Sequence, residues 1–323
     1  MDLSIVIVNY NSWSVLSNCL ESVLSLKSIL NIEVIVVDNQ STKNMMASYE
    51  LKYPTVKWLR NSGNNGFANG CNLGAANAVG DNLFFLNPDT KLNSGVLEHF
   101  IKIYDKENIG ILSCLQTNNN GTFHKYNLLF PNSLRVFGIL RSFERFFKKK
   151  QLTQHFKETA TRSYPDWISG SAIFISKQNF ELIDKWNEDY WMYFEDVDLC
   201  KKIQENNLPC VVTKEVSLFH LHGGASRVNP KTKAITKSEV IKSRHVYISN
   251  YFSANSQKWL HPLLMTNNLL SVGILSLLSF PLFFLKKLQV NRYKFLELCN
   301  YYASALKNKT WLSNRSTNFK FSK

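Results

Sequence analysis

A chain of 323 residues with 45% hydrophobic and 13% aromatic side chains can fill one large core or two smaller ones, which excludes a disordered composition. Six cysteines, at 19, 71, 114, 200, 210 and 299, form no C-x-x-C pair, so neither a zinc knuckle nor a disulfide framework is expected and reduced thiols are the simplest reading. The formal charge of +14 is uneven: residues 1–229 hold 23 Lys+Arg against 22 Asp+Glu, whereas residues 230–323 hold 15 against 2, a basic back suited to an anionic surface.

The chain opens on a β-branched run, residues 3–9, too short and too poor in basic flanks for a secretory signal. It reads as a strand ending in Asn9-Tyr10-Asn11. Val15, Leu16, Cys19, Leu20, Val23 and Leu24 then recur at helical spacing. A second buried strand, residues 33–37, ends in Asp38-Asn39-Gln40-Ser41. A third, residues 56–60, runs into Asn61-Ser62-Gly63-Asn64-Asn65-Gly66 and a helix from Phe67 that carries Gly70 and Gly74. The glycine spacing is neither G-x-G-x-x-G nor a P-loop; Gly70 and Gly74 are expected to let that helix pack closely on the sheet. The fourth strand, residues 83–86, is apolar throughout, as in the middle of a parallel sheet, and stops at Asn87-Pro88-Asp89-Thr90 because proline has no N–H for the ladder.

This alternation of strand, polar loop and helix predicts parallel βαβ units. In such sheets ligands bind in the crevice outside the carboxyl ends of the strands. Asparagines, an aspartate and a serine at those ends suit a base, a ribose or a phosphate. A lone carboxylate such as Asp89 can hold a divalent cation against a diphosphate.

Beyond residue 118 the pattern changes. Residues 133–150 place Leu134, Phe137, Leu140, Phe143 and Phe147 at helical spacing among six basic residues. Such a helix can lie on a membrane surface or pack on its own domain with a solvated edge. Residues 167–175 return to strand, and Gly170 with Ser171 gives a ligand room to approach the backbone near Trp167. Tyr190-Trp191-Met192-Tyr193-Phe194 then runs straight into Glu195 and Asp196 at a helix start, where a carboxylate between aromatic walls can take a proton from a sugar hydroxyl. Asp198 reads instead as a helix-terminal charge with lysine partners. Two short strands, 211–213 and 216–219, deliver His220-Leu221-His222-Gly223-Gly224-Ala225-Ser226-Arg227, groups that can contact a phosphate or complete a metal shell. Residues 263–285 carry no formal charge, a length that can span a bilayer, although Asn267, Asn268, Gly273 and Pro281 suit a surface-lying segment as well. The basic region is interleaved with aliphatic stretches and forms no DNA or RNA module, so no nucleic-acid partner is expected.

Residues 4–11, 36–41, 65–68, 86–90 and 192–200 together resemble glycosyltransferase family 2 with the GT-A fold, nearest its rhamnosyltransferase-like branch, over about residues 3–227. The resemblance implies an α/β, mostly parallel sheet with flanking helices, plus a basic helical C-terminal region. It implies a GT-A catalytic domain over 1–229, with a nucleotide-binding half at about 1–117 and an acceptor half at about 160–229, and a membrane-associating region over 230–323. It further implies inverting transfer of a sugar from a nucleotide-diphosphate donor, with dTDP-rhamnose the donor that the likeness points to, to a polysaccharide or lipid-linked glycan at the cytoplasmic face of the inner membrane. A UDP-hexose donor and a non-catalytic nucleotide-sugar-binding protein are the alternatives.

By that likeness Asp38 reads the base, and Asn9, Tyr10, Asn11, Asn39, Ser41, Asn65, Gly66 and Asn87 line the nucleoside. Asp89, with His220 and His222, holds Mg²⁺ or Mn²⁺; Ser226, Arg227, Trp167 and Gly170 meet the diphosphate or acceptor; Asp196, beside Glu195, is the base. The family's Asp-x-Asp metal motif here reads Asn87-Pro88-Asp89, one carboxylate short.

Overall fold

The computed structural model describes residues 1–147, 155–221, 229–280 and 286–321. In chain order the elements are β1 (Leu3–Asn9), α1 (Trp13–Leu24), β2 (Ile32–Asp38), α2 (Met46–Lys52), β3 (Lys57–Arg60), α3 (Phe67–Ala76), β4 (Asn82–Leu86), β5 (Thr90–Lys91), α4 (Val96–Tyr104), β6 (Ile111–Thr117), α5 (Gly138–Phe147), β7 (Arg162–Ser163), β8 (Ala172–Ser176), α6 (Lys177–Leu182), α7 (Glu195–Glu205), β9 (Cys210–His220), α8 (Pro230–Tyr251), α9 (Ala254–Leu278) and α10 (Lys286–Asn308). They fall into two compact units: the described residues within 1–130, 148–187 and 195–225, and those within 131–147, 188–194 and 226–323.

The first unit is a mixed sheet in the order β3-β2-β1-β4-β8-β6-β9-β5, with β7 pairing on β9. β1, β2, β3 and β4 are mutually parallel, and β8 runs antiparallel between β4 and β6. Because β6 and β9 are parallel, the ends of β1, β2, β4, β6 and β9 and the start of β8 all open on one edge. Alternation along the strands serves two cores. Ile5, Ile7, Val36 and Phe84 pack on one face with α1 and α4; Val6, Val8, Ile35 and Phe85 pack on the other with α3, α6 and α7. A Cβ on Gly74 would lie 2.3 Å from Val6, and one on Gly70 2.8 Å from Val8, so both glycines permit the close helix–sheet approach their spacing predicts.

Three local expectations shift. The two short strands near residue 216 are one strand, β9, interrupted where Cys114 pairs Thr213 but Leu115 pairs Ser217; the three extra residues form a bulge. Only Ala172–Ser176 of the 167–175 stretch joins the ladder, and residues 167–171 form a loop at its mouth. Asp198 keeps an expected lysine partner, Lys202 (3.4 Å), but is fully buried, with the Asn187 amide as a second partner (3.3 Å).

The second unit is helical. Ile241 of α8, Val272 of α9, and Leu298, Tyr301 and Tyr302 of α10 form its core. Val136 and Phe137, just before α5, pack on Ile248, Leu260 and Leu264. Inside lies a buried charge network: the Lys242 ammonium meets Glu239 (2.8 Å) and Glu297 (2.9 Å), and Arg315 reaches the same two carboxylates while lying over Trp191. The α5 helix starts later than the apolar spacing predicts, because the Asn132 side chain caps a turn by accepting from Leu134 and Arg135 N–H. Lys148–Lys150 lie outside the described residues.

Candidate active site

The open edge of the sheet gathers most of the predicted side chains. At the ends of β1 and β2 Asp38 is completely buried. Its carboxylate accepts from Ser41 Oγ (2.5 Å), Ser41 N (3.1 Å) and Asn9 Nδ2 (3.1 Å). Asn9 Oδ1 in turn accepts from Ser12 N, and Ser41 Oγ accepts from Asn11 N. Asn11 and Gln40 sit at φ 54° and 55°, a left-handed backbone that the network holds in place. Asp38 therefore fixes the two loops, and Tyr10 is exposed at their rim. Asn39 donates to Gly66 O (2.7 Å) and accepts from Asn61, whose Oδ1 accepts from Asn65. Gly66, at φ 95°, turns the chain into α3, a conformation that favours glycine.

The end of β4 is tied to the start of β8: Asn87 N donates to Ser171 O (2.9 Å), and Thr90 Oγ1 donates back to Asn87 O (2.7 Å). Asp89 is buried, with Oδ1 3.4 Å from His220 Nε2, and its backbone oxygen accepts from Leu221 N. His220 Nδ1 lies 2.8 Å from Gln116 Oε1, and Ser171 Oγ donates to the same oxygen (2.9 Å). A carbonyl oxygen only accepts, so His220 carries its proton on Nδ1. Nε2 faces the Asp89 carboxylate, so a proton or a cation between them joins the two. This oxygen–nitrogen donor pair fits a divalent ion that takes its remaining ligands from phosphate and water. Among the described residues no cluster of three such ligands exists, and His222, Ser226 and Arg227 lie outside the described residues.

On the other side of Ser171 stands Gly170, whose N–H donates to Asp196 Oδ2 (2.9 Å); Asp196 Oδ1 accepts from Val197 N (2.9 Å). A Cβ on Gly170 would lie 3.5 Å from both Asp196 and the Phe67 ring, so the start of α3, the loop before β8 and the start of α7 converge there. Trp167, in that loop, donates its indole N–H to Leu129 O (3.1 Å). Burial pushes the Asp196 carboxyl up to about 6, against the opposing pull of the Gly170 and Val197 amides. Burial, then the Asp196 charge, pushes Glu195 well above the usual carboxylate range, and its Oε2 has no hydrogen-bond partner among the described residues. Of the pair, Glu195 is the harder to ionise and Asp196 the readier to carry the charge.

The result is an unbroken run, Asp196–Gly170–Ser171–Gln116–His220–Asp89, that ties the two carboxylates to one edge of the sheet. Gln116 was absent from the sequence-derived site, although it too ends an apolar strand at this edge. A groove of about 780 Å³ lined by Asp81, Tyr104, Glu107, Ser176 and Asn179 lies at the opposite end of β4 and contains none of these residues.

The fold and this edge define a GT-A transferase. Residues 4–164 match the model of glycosyl transferase family 2, and the chain belongs to that family: it is a glycosyltransferase. It is 25% identical to the low-salt glycan biosynthesis hexosyltransferase Agl10 of Haloferax volcanii over 68% of this chain and 67% of that one. It is 23% identical to an N-acetylglucosaminyl-diphospho-decaprenol L-rhamnosyltransferase of Mycobacterium tuberculosis over 82% and 88%. Among solved structures, GalNAc-T7 with UDP, GalNAc and Mn²⁺ superposes with a TM-score of 0.54 at 17% identity, over 68% of this chain and 43% of that chain.

Proposed function

We propose that this glycosyltransferase inverts the anomeric centre as it moves a sugar from a nucleotide-diphosphate donor to a hydroxyl of a polysaccharide or lipid-linked glycan at the cytoplasmic face of the cell membrane. The observation that supports the reading is the run from Asp196 to Asp89, which ties both carboxylates to one edge of the sheet; in this reading they serve opposite ends of one reaction. The nucleoside rests on the loops after β1, β2, β3 and β4, where Asn9, Tyr10, Asn11, Asn39, Ser41, Asn65, Gly66 and Asn87 present polar groups and Asp38 ties the first two loops together. The diphosphate lies toward Asp89 and His220, with His222, Ser226 and Arg227 as further contacts. Mg²⁺ or Mn²⁺ held there would neutralise the leaving diphosphate.

Asp196 accepts the proton of the acceptor hydroxyl as its oxygen bonds to the anomeric carbon, and the bond from that carbon to the diphosphate oxygen breaks on the opposite face. Glu195, the harder of the two to ionise, adds no second charge beside the base while it keeps its proton. Trp167 and Gly170 border the acceptor side.

The rhamnosyltransferase relative makes dTDP-rhamnose the first donor to test, and the hexosyltransferase relative makes UDP-hexoses the second. Incubating the purified chain with a panel of nucleotide sugars, with Mn²⁺, Mg²⁺ or EDTA, tests the reading through donor hydrolysis and thermal stabilisation. One donor class should shift the melting temperature in a metal-dependent way. No shift and no hydrolysis with any donor would reject it.

A further inference from the structure

The second unit carries its polarity the wrong way round for water. In α9 the inward face holds His261, Asn268 and Ser276, with Ser279 just past its end, beside Leu260, Leu264 and Val272. Asn268 donates to Tyr302 OH (3.1 Å), and the His261 ring stacks on Trp311. The outward face holds Trp259, Leu263, Leu270, Ile274, Leu275, Leu277 and Leu278, followed by Phe280, all exposed, with Thr266, Asn267 and Ser271 as the exposed polar side chains among them. No formal charge occurs from Trp259 to Phe280, about 32 Å of helix. A water-facing helix turns its leucines inward and its amides outward. A helix bordered by lipid does the reverse, because a polar group then finds partners only on the protein side.

Length and apolarity alone would also let α9 cross a bilayer. Its neighbour argues otherwise. Helix α10 runs antiparallel along the inward face: Asn268 meets Tyr302, Gly273 lies against Phe295, and Arg292 lies over the Phe280 ring. A crossing α9 would carry Arg292 and the Lys242–Glu297 pair into the hydrocarbon with it, a costly arrangement. Near the start of α9, Val136 and Phe137 seat the first turn of α5, whose Leu140, Phe143, Phe146 and Phe147 are exposed as well. Lys231, Lys237, Lys258, Arg292, Lys307, Lys309 and Lys320 of the same unit are exposed, and residues 230–323 hold 15 basic against 2 acidic side chains.

From this we propose that α9 lies flat in one leaflet of an anionic bilayer, its Trp259–Phe280 face sunk to the acyl boundary and its polar face kept on the protein, so that this helix attaches the chain without crossing. The inference rests on the membrane-bound acceptor proposed above and adds the surface and its orientation. A lipid with anionic headgroups supplies what these basic side chains lack, and the apolar face supplies the depth.

Flotation of the full chain with vesicles of phosphatidylcholine, with and without 30% phosphatidylglycerol, tests it. The wild type should float with the anionic vesicles. A Leu270→Glu/Ile274→Glu/Leu277→Glu variant should bind at least tenfold more weakly, while Leu51→Glu, exposed in the other unit, should bind as wild type. Nitroxides at residues 263, 270 and 277, one at a time in a Cys299→Ser background, should report equal depths. A depth maximum at 270 would mean a crossing helix and would overturn the proposal. So would wild type that ignores vesicles, including a dimer that hides this face, or a triple variant that floats unchanged. Donor hydrolysis in detergent separates the outcomes: it should be equal in wild type and triple variant, and its absence in both would count against the transferase assignment instead.

Discussion

The two units bury polar groups for different ends. In the first, Asp38 and Asp89 sit at or just past strand ends and Glu195, beside half-buried Asp196, at the start of α7, on one open edge above cores that are otherwise apolar. In the second, Glu239, Lys242, His245 and His261 lie within a helical core beside Leu260, Leu264 and Leu298, while Leu263, Leu270, Leu275, Leu277 and Leu278 face outward. Burial pushes Asp196 up to about 6, whereas it pushes His261 down to about 4 and His245 well below the ordinary imidazole range. The same desolvation thus makes a base in one unit and neutral hydrogen-bonding rings in the other. A buried charge is poised for chemistry where a substrate can reach it, and structural where ion partners enclose it.

Mutations can break this contrast. The largest effect is expected from Asp196→Asn, which should lower transfer by about 10³-fold while donor binding, followed by calorimetry, persists. Equal turnover in the variant would remove Asp196 from the mechanism. Next, Lys242→Met should cost about 3 kcal/mol of stability by leaving Glu239 and Glu297 short of a partner, with an unchanged KM for the donor. A KM that moves with it would erase the distinction between the units. Gln116→Ala frees the His220 ring and should weaken metal-dependent nucleotide binding by about 10-fold to 100-fold; titration of the nucleotide complex with Mn²⁺ measures this.

Smaller and more diagnostic is pH. The folded carboxyl of Asp196 lies above its ordinary value of 3.8, so the native state binds the extra proton and stability falls as pH rises through about 6. Activity moves the other way, because the base must be ionised. Transfer should therefore climb between pH 5 and 7 as the melting temperature declines. Asp196→Asn should flatten that decline and gain about 2 kcal/mol at pH 8. A variant whose stability still follows pH through 6 would reassign the titration to another group.

The strand ends were legible because their cause is local. Apolar runs of four to seven residues that stop in asparagine, aspartate or proline declare a parallel sheet and its reactive edge, and Asn9, Asp38, Gly66 and Asp89 all lie there. Gln116 was hidden: one amide near the end of a strand carries no signal of its own, and only the pairing of β6 with β8 and β9 brings it to Ser171 and His220. Asp198 was legible as a helix-terminal charge with a lysine partner, and Lys202 is that partner, but spacing did not reveal that the side chain is fully buried. The resemblance gave Asp38 a direct part in reading the base, while the structure shows its carboxylate bonded to Ser41 and Asn9.

By itself the sequence determined the alternation of elements, the placement of polar groups at strand ends and the concentration of charge after residue 230, since each follows from neighbours along the chain. Tertiary structure alone decided which carboxyl is the harder to ionise, which histidine nitrogen faces Asp89 and which side of α9 turns outward. Those depend on desolvation and hydrogen bonds between residues far apart in sequence, which no local pattern encodes.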